Sequence, residues 1–430
     1  MKARALKKTS ILFSAMAESV TGTIGSESYL QRSRQKPQDF TRKRKMPFKD
    51  LMLLLLQQPR CSTQCALRRF FIRAKGDLST YMTQQSFSDA RQKVKWEAFR
   101  ELVWLGVGQF YSKQYAWHTW HGRTVFAVDG SKTQLPSDPA LLSAFGGTGV
   151  NADAPTAQAS YLYDVLNGIL ADARIAPVST PERTLAKQHL ELLDTLPDIE
   201  KKLIILDRGY PSADMIAVLD AAGCDFLFRV RSKFSVKLDD LPLGVHEFPF
   251  TDENGKTHDL TAVKLTLDSG ETELLLTNLK DRRMGVKAFK DLYFARWGVE
   301  TKIAELKHII EIENFSGRTE LAIFQDFFAS VELANMIAVA ALEAQPIIDF
   351  SANEINKYEY KVNKNNAIGA LKDGLVAAVC APTRRARLRH FNAIVQTIAK
   401  SKSPVRPGRS VPRSSSPRRA NFFHNRKSNA

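Results

Sequence analysis

The sequence predicts an α/β protein: a mixed β-sheet with a β-rich insertion, a helical region before it and more helices after it. Three observations lead there. Between residues 124 and 175 short apolar runs follow one another across turn residues, as antiparallel strands do. From 203 to 230 the order is apolar run, helical pattern, apolar run, a βαβ unit whose strands lie parallel in one sheet. On both sides of this region the apolar residues recur at helical spacing.

In chain order, residues 1–45 read as a basic flexible arm. Lys2, Arg4, Lys7 and Lys8 precede a short apolar stretch, Ile11 to Ala17, which superficially resembles a secretory leader but is at the low end of usable length. The arm closes on Arg42-Lys43-Arg44-Lys45. Residues 46–121 read as a helical domain. Leu51 to Leu56 and Ala66 to Ile72 lead to a helix opening at Ser88-Asp89-Ala90-Arg91-Gln92, with Val94, Phe99, Leu102, Val103 and Leu105 as its apolar stripe. Trp96, Trp104, Trp117 and Trp120 cluster here and read as packing residues.

Residues 122–330 hold the sheet. Thr124 to Val128 is a buried strand ending at Asp129-Gly130-Ser131. Ala159 to Val165 and Ile169 to Ile175 meet across Asn167-Gly168, the dipeptide that type I′ turns prefer. Ser179-Thr180-Pro181-Glu182 reads as a capping box opening a helix to about Leu196. Leu203 to Leu206 ends in Asp207-Arg208-Gly209-Tyr210, a helix spans Ser212 to Ala222, Gly223 stops it, and Asp225 to Val230 returns as a strand. Alternating runs between 232 and 278, with turns at Glu253-Asn254-Gly255 and Asp268-Ser269-Gly270, form the β insertion, and a long helix runs from Val286 to about Ile310. Residues 331–400 continue the helical pattern, and 401–430, rich in Ser, Pro and Arg, read as a disordered tail.

The 430 residues are 44% hydrophobic and 25% charged, the balance of a globular chain with more than one domain. The apolar run Leu51 to Leu56 is far short of the roughly 20 residues of a membrane span, so no membrane partner is expected. Cys61 and Cys65 lack a second pair or a nearby histidine, and Cys224 and Cys380 stand alone, which fits neither a disulfide framework nor a zinc site. The formal charge of +17 is uneven: residues 1–50 carry 12 Lys or Arg against 4 Asp or Glu, and 374–430 carry 13 against none. The segment between is slightly acidic. Basic ends on such a body suit a nucleic acid, because Lys and Arg displace counterions from phosphates.

Asp129 and Asp207 each follow an apolar strand directly, at the carboxyl ends where open α/β sheets build their sites. If the strands are neighbours, the two carboxylates can share a metal. A lone Asp in this place is ordinarily turn chemistry. On the long helix, at about 100° per residue, Tyr293, Arg296, Glu300 and Lys307 fall within one sector of about 60°, beside Leu292, Val299, Ile303, Leu306 and Ile310. A carboxylate ringed by a phenol, a guanidinium and an ammonium suits holding phosphate beside a metal-bound carboxylate; a surface salt-bridge ladder is the plain alternative. Glu305 points about 140° away from Glu300 and is not chosen.

Together, the strand-Asp129-Gly-Ser, the strand-Asp207-Arg-Gly-Tyr and the pattern Tyr293-x2-Arg296-x3-Glu300-x6-Lys307 resemble the DDE transposases of the insertion-sequence-four family, over roughly residues 85 to 345. Thr277-Asn278-Leu279, Trp297 and Ser88-Asp89-Ala90-Arg91 add to the resemblance. It implies an RNase H-like core with the β insertion between the second and third acidic residues. It also implies Asp129, Asp207 and Glu300 as catalytic, metal-binding residues for two Mg²⁺ ions, with Mn²⁺ as a substitute, and Tyr293, Arg296 and Lys307 on the DNA backbone. Its implied partners are double-stranded DNA, at the element's terminal inverted repeats and at the target, and a second copy of the chain. The implied activity is cut-and-paste strand cleavage and strand transfer, in the cytoplasm with the nucleoid. In some relatives a tryptophan of the insertion stacks on a flipped base; this insertion contains none. An RNase H-like nuclease that cleaves without joining, and a noncatalytic DNA-binding regulator descended from a transposase, stay open as alternatives.

Overall fold

A computed structural model describes residues 12–406 apart from 77–81, 113, 150–151, 197, 233, 253–254, 268–269, 281–283 and 352–357. The first residues of the leader-like start, the tail beyond 406 and parts of the two insertion turns therefore lie outside the described residues. The chain divides into two compact units, one of residues 1–115, 133–157 and 305–430, the other of 116–132 and 158–304.

The first unit is mostly helical. Its amino-terminal helices are α1 (Leu12–Ile24), α2 (Glu27–Ser33), α3 (Phe48–Leu56), α4 (Thr63–Lys75), α5 (Gln84–Arg91) and α6 (Glu97–Phe110), and α7 (Pro139–Phe145) follows. Its carboxy-terminal helices are α13 (Glu320–Phe350), α14 (Lys364–Cys380) and α15 (Arg384–Lys400). Residues 12–33, expected in a flexible arm, are thus two helices: Phe13, Met16, Ala17, Val20 and Ile24 recur at helical spacing and are buried. Ser88-Asp89-Ala90-Arg91 closes α5 instead of opening a helix, because Thr83 already caps the start by accepting from the Ser86 amide. Arg91 turns into the core, where its guanidinium meets Gln325 Oε1 at 2.7 Å, Asp326 Oδ1 at 2.8 Å and the Ala322 carbonyl at 2.9 Å. Trp96 stacks on Phe324 and Phe328, with centroids 4.7 and 5.5 Å apart, the packing role expected for it.

The 31-residue α13, capped by Thr319, is long and apolar enough to cross a membrane, but 83% of its most apolar window is buried within the protein. It serves as the core helix of this unit. Lys402–Pro404 (β11) pairs antiparallel with Tyr360–Val362 (β10), so the expected tail begins with a strand.

The protein also holds a nine-stranded sheet, most of it in the other unit. Its strands are β1 (Thr124–Gln134), β2 (Gly147–Thr148), β3 (Ala154–Asp164), β4 (Leu170–Pro177), β5 (Lys202–Leu206), β6 (Asp225–Val230), β7 (Gly244–Thr251), β8 (Thr257–Thr266) and β9 (Thr272–Thr277). The order is β2-β3-β1-β5-β6-β9-β8-β7, with β4 beside β3. β1, β5 and β6 run parallel, whereas β9, β8 and β7 add antiparallel strands to the β6 edge. This is the expected RNase H-like mixed sheet, and the insertion extends it. The helices of this unit are α8 (Glu182–Leu193), α9 (Ala213–Ala221), α10 (Val236–Asp239), α11 (Val286–Phe294) and the start of α12 (Trp297–His308).

Three local expectations change. The β3–β4 turn is wider than Asn167-Gly168: the Asp164 carboxylate accepts from the amides of Leu166 at 3.0 Å and Asn167 at 3.1 Å, and Gly168 takes φ 78° to close the loop. No capping box opens α8, since Pro181 is the N-cap and no side chain caps it. The long helix is broken: Arg296 N bonds the Tyr293 carbonyl at 3.0 Å and Val299 N the Arg296 carbonyl at 3.0 Å, an i to i−3 tightening between α11 and α12. An even 100° step therefore does not run from Tyr293 to Lys307.

Candidate active site

The sheet register decides where the first two carboxylates go. Ala127 pairs with Ile205 across the parallel β1 and β5, and Asp129 and Asp207 each lie two residues further along. They stand side by side just beyond the last β1–β5 pair. β1 does not stop at Val128 but runs on to Gln134, so Asp129 is a strand residue. Its Oδ1 accepts from the Gly130 amide at 2.9 Å, and an Asp207 oxygen accepts from the Gly209 amide. Burial pushes the Asp129 carboxyl up to about 7; the Gly130 amide and Arg296 oppose that rise, and Glu300 and Asp207 add to it. Glu300 and Asp207 are thus both within electrostatic reach of Asp129.

Glu300 lies in the first turn of α12 and accepts from Arg296 Nη2 at 2.7 Å. Gly298 lets that turn approach the sheet, because a Cβ there would sit 3.3 Å from the Tyr163 ring. Arg296, only 5% exposed, places its guanidinium carbon 5.6 Å from the Tyr293 ring centre and 5.5 Å from that of Trp297. Tyr293 is anchored in the apolar cluster that α11 makes on the sheet with Val125, Leu203, Leu227 and Leu275. Burial pushes its phenol up to about 12. Tyr293, Arg296 and Glu300 thus come together. Lys307, two turns further along α12, belongs to the other unit and pairs with Glu313 Oε1 at 3.1 Å.

Two residues stand at the site that were not expected there from the sequence. Tyr210, 2% exposed, has a buried hydroxyl with no hydrogen-bond partner among the described residues. Burial, then the charges of Glu182, Asp129 and Asp207, hold its phenol well above the usual range. Glu182, expected as half of a capping box, instead accepts from Gln158 Nε2 at 3.2 Å beside Gly130. A Cβ on Gly130 would come within 2.6 Å of the Glu182 carboxylate and 2.8 Å of the Gln158 amide, so a larger residue there would push the ends of both side chains aside. The one available signal was the run Asp207-Arg208-Gly209-Tyr210, which put a tyrosine three residues after an acidic strand end. A second polar arrangement, Ser160 Oγ to His189 Nε2 at 3.0 Å and Nδ1 to Asp172 at 2.8 Å, looks like a hydrolytic triad. Each of the three is at most 1% exposed, so it braces α8 against β3 and β4 and cannot meet a substrate.

Among the described residues no three of His, Cys, Asp and Glu stand together as a ready-made metal ligand set. The donors nevertheless fit a hard divalent cation: they are carboxylate oxygens, and the half-buried Asp129 feels two further carboxylates with one guanidinium to offset them. The site's chemistry asks for added positive charge.

The site thus sits on a mixed RNase H-like sheet whose neighbouring parallel strands bring Asp129 and Asp207 side by side. The sequence profile of the Transposase DDE domain matches residues 120–336, half of the chain. The chain belongs to that family. It is 25% identical over 215 residues to "Putative transposase InsZ" of Escherichia coli (strain K12), spanning 49% of this chain and 70% of that one. The piggyBac transposase, solved by cryo-EM as a synaptic complex with hairpin DNA, aligns over 94% of this chain and 86% of its own at 12% identity and a TM-score of 0.45. That likeness is too loose to add to the fold read from the sheet. As a transposase, the chain has DNA as its partner, and its family generally uses divalent metal ions.

Proposed function

We propose that the chain catalyses metal-dependent cleavage of DNA at the ends of an insertion sequence, and transfer of the freed ends to a target, as a transposase of the insertion-sequence-four type. The observation that carries the reading is the β1–β5 register, which sets Asp129 beside Asp207, with Glu300 close enough to raise the Asp129 carboxyl. Asp129, Asp207 and Glu300 would hold two Mg²⁺ ions, or Mn²⁺ in their place. Bound there, the cations supply Lewis acidity for an in-line displacement at phosphorus.

The remaining groups position DNA. Arg296, fixed by Tyr293 and Glu300, presents a guanidinium for a phosphate oxygen. The unpartnered Tyr210 hydroxyl is a donor beside the same carboxylates. Tyr293 and Lys307 also serve the DNA backbone. A homodimer acting on the terminal inverted repeats and the target, in the cytoplasm with the nucleoid, completes the reading.

The test is cleavage and joining of a duplex carrying the inverted repeats that flank the coding region. Asp207→Asn is expected to lose both reactions while keeping end binding. Retained activity with Mg²⁺ removes the assignment, and cleavage without transfer of a pre-cut end moves the chain to the nuclease reading.

A further inference from the structure

The last long helix carries a pattern that the active site does not use. α15 packs through Phe391, Ile394, Val395 and Ile398, all buried, at about 180° to 280° on the helix when Arg385 is set at 0°. Arg385, Arg389, Asn392 and Gln396 then fall at about 0°, 40°, 340° and 20°, a stripe within about 60° on the opposite side. All four are exposed. A shallow depression along the same face is lined by Arg384, Arg385, Leu388, Arg389 and Asn392.

Charge and partners decide what such a stripe is for. Arg384, in the first turn and off the stripe, is committed to Glu18 at 3.2 Å. The side chains of Arg385, Arg389 and Gln396 make no ion pair or hydrogen bond with any described residue, whereas Arg32, Arg73, Arg91, Arg123, Arg174 and Arg296 each have a carboxylate partner. No Asp or Glu occurs from residue 374 to the end of the chain. An exposed face with two uncompensated guanidiniums and two side-chain amides complements a polyanion that also offers paired acceptor and donor edges. Arg matches the two acceptors of guanine, and Asn or Gln matches the acceptor and donor of adenine, in the major groove of a duplex. The stripe is about 17 Å long from Arg385 to Gln396, the rise of about five base pairs.

We propose that α15 is a DNA-reading helix, in which Arg385, Arg389, Asn392 and Gln396 contact base edges in the major groove of the duplex that the transposase handles. The proposal rests on the reading of the chain as a DNA transposase and adds a site remote in sequence from the acidic residues.

The experiment uses the full chain without divalent metal, so that binding is measured apart from cleavage. Duplexes with a randomised core are first selected for binding; the selected sequence and a scrambled duplex are then titrated at several salt concentrations. Three double variants keep the buried face intact. Arg385→Ala with Arg389→Ala is expected to weaken binding to the selected duplex at least 10-fold and to reduce the salt slope by about 2, since each charge contributes about 0.9. Arg385→Lys with Arg389→Lys is expected to keep the salt slope and binding to the scrambled duplex but lose the preference for the selected one, because an ammonium cannot make the bidentate contact. Asn392→Ala with Gln396→Ala is expected to lose the preference in the same way. Unchanged affinity and preference in the alanine variants, with an unchanged thermal melt, overturns the proposal, as does binding of polyglutamate that the Arg385→Ala with Arg389→Ala variant abolishes while its DNA binding is untouched. Asp207→Asn separates the two readings. If it stays active while the α15 variants lose binding, the active-site assignment fails and the helix proposal stands; if it loses cleavage while the α15 variants bind as the parent does, the helix proposal fails and the active-site assignment stands.

Discussion

Replacing Glu332 by Gln is expected to stabilise the protein, increasingly so as pH rises. Glu332 lies in α13 and is 0% exposed, and neither carboxyl oxygen has a hydrogen-bond partner among the described residues. Gly106 of α6 leaves the space it occupies, since a Cβ there would sit 3.2 Å from both oxygens. Burial pushes its carboxyl from 4.5 up to about 8. Between those values the folded chain holds a proton that the unfolded chain has released, so unfolding sheds a proton and stability falls as pH rises. The slope is about 1.4 kcal/mol per pH unit, giving about 3 kcal/mol between pH 5 and 7.5. Gln keeps the shape of the protonated acid and has no such slope. Urea unfolding of parent and variant, followed by tryptophan fluorescence at steps from pH 5 to 7.5, should show nearly equal stability at the acid end and a gap of about 3 kcal/mol at the other. Glu343, whose carboxyl burial pushes up to about 7, titrates in both proteins and cancels from the difference. A gap that does not change with pH refutes the reasoning, because it requires Glu332 to be equally protonated in both states.

Other substitutions separate structural from chemical roles. Arg91→Met leaves Asp326 buried with its counter-charge gone and should cost about 3–5 kcal/mol in a thermal or urea melt, while adding Asp326→Leu should recover most of it; equal losses in the single and double variants contradict the pairing. Tyr210→Phe removes a hydroxyl without a partner in the structure, so stability should hold while DNA cleavage slows about 10-fold or more if that donor faces phosphate. An unchanged cleavage rate dismisses Tyr210 from the site. Asn278→Ala loses the bonds from the Phe226 amide at 2.8 Å and to the Cys224 carbonyl at 3.1 Å, and should cost about 1–3 kcal/mol, read by chemical unfolding. No loss there makes the Thr277-Asn278 match incidental to the fold.

What the sequence by itself determined was local or repetitive. Apolar runs bounded by turn residues gave the strands up to Asp129 and Asp207, and the strand-helix-strand pattern from 203 to 230 required β5 and β6 to be parallel. The spacing of Tyr293, Arg296 and Glu300 singled out three side chains that do meet. Local signals misled where a distant group overrode them. Ser88-Asp89-Ala90-Arg91 looked like a helix start because its residues suit one, but Thr83 caps α5 and Arg91 is drawn into a buried network with α13. Glu182 looked like a capping partner and instead meets Gln158 next to a glycine that no propensity distinguishes. The wheel that grouped Lys307 with Glu300 assumed an even helix, which the tight turn at Arg296 interrupts. Only the tertiary structure decided that β1 and β5 are neighbours in a register that aligns Asp129 with Asp207, and that α15 turns its buried face to the helices and leaves Arg385 and Arg389 unpaired. The physical reason is common to both: periodicity fixes which residues share a face, whereas the partner of that face comes from chain tens or hundreds of residues away.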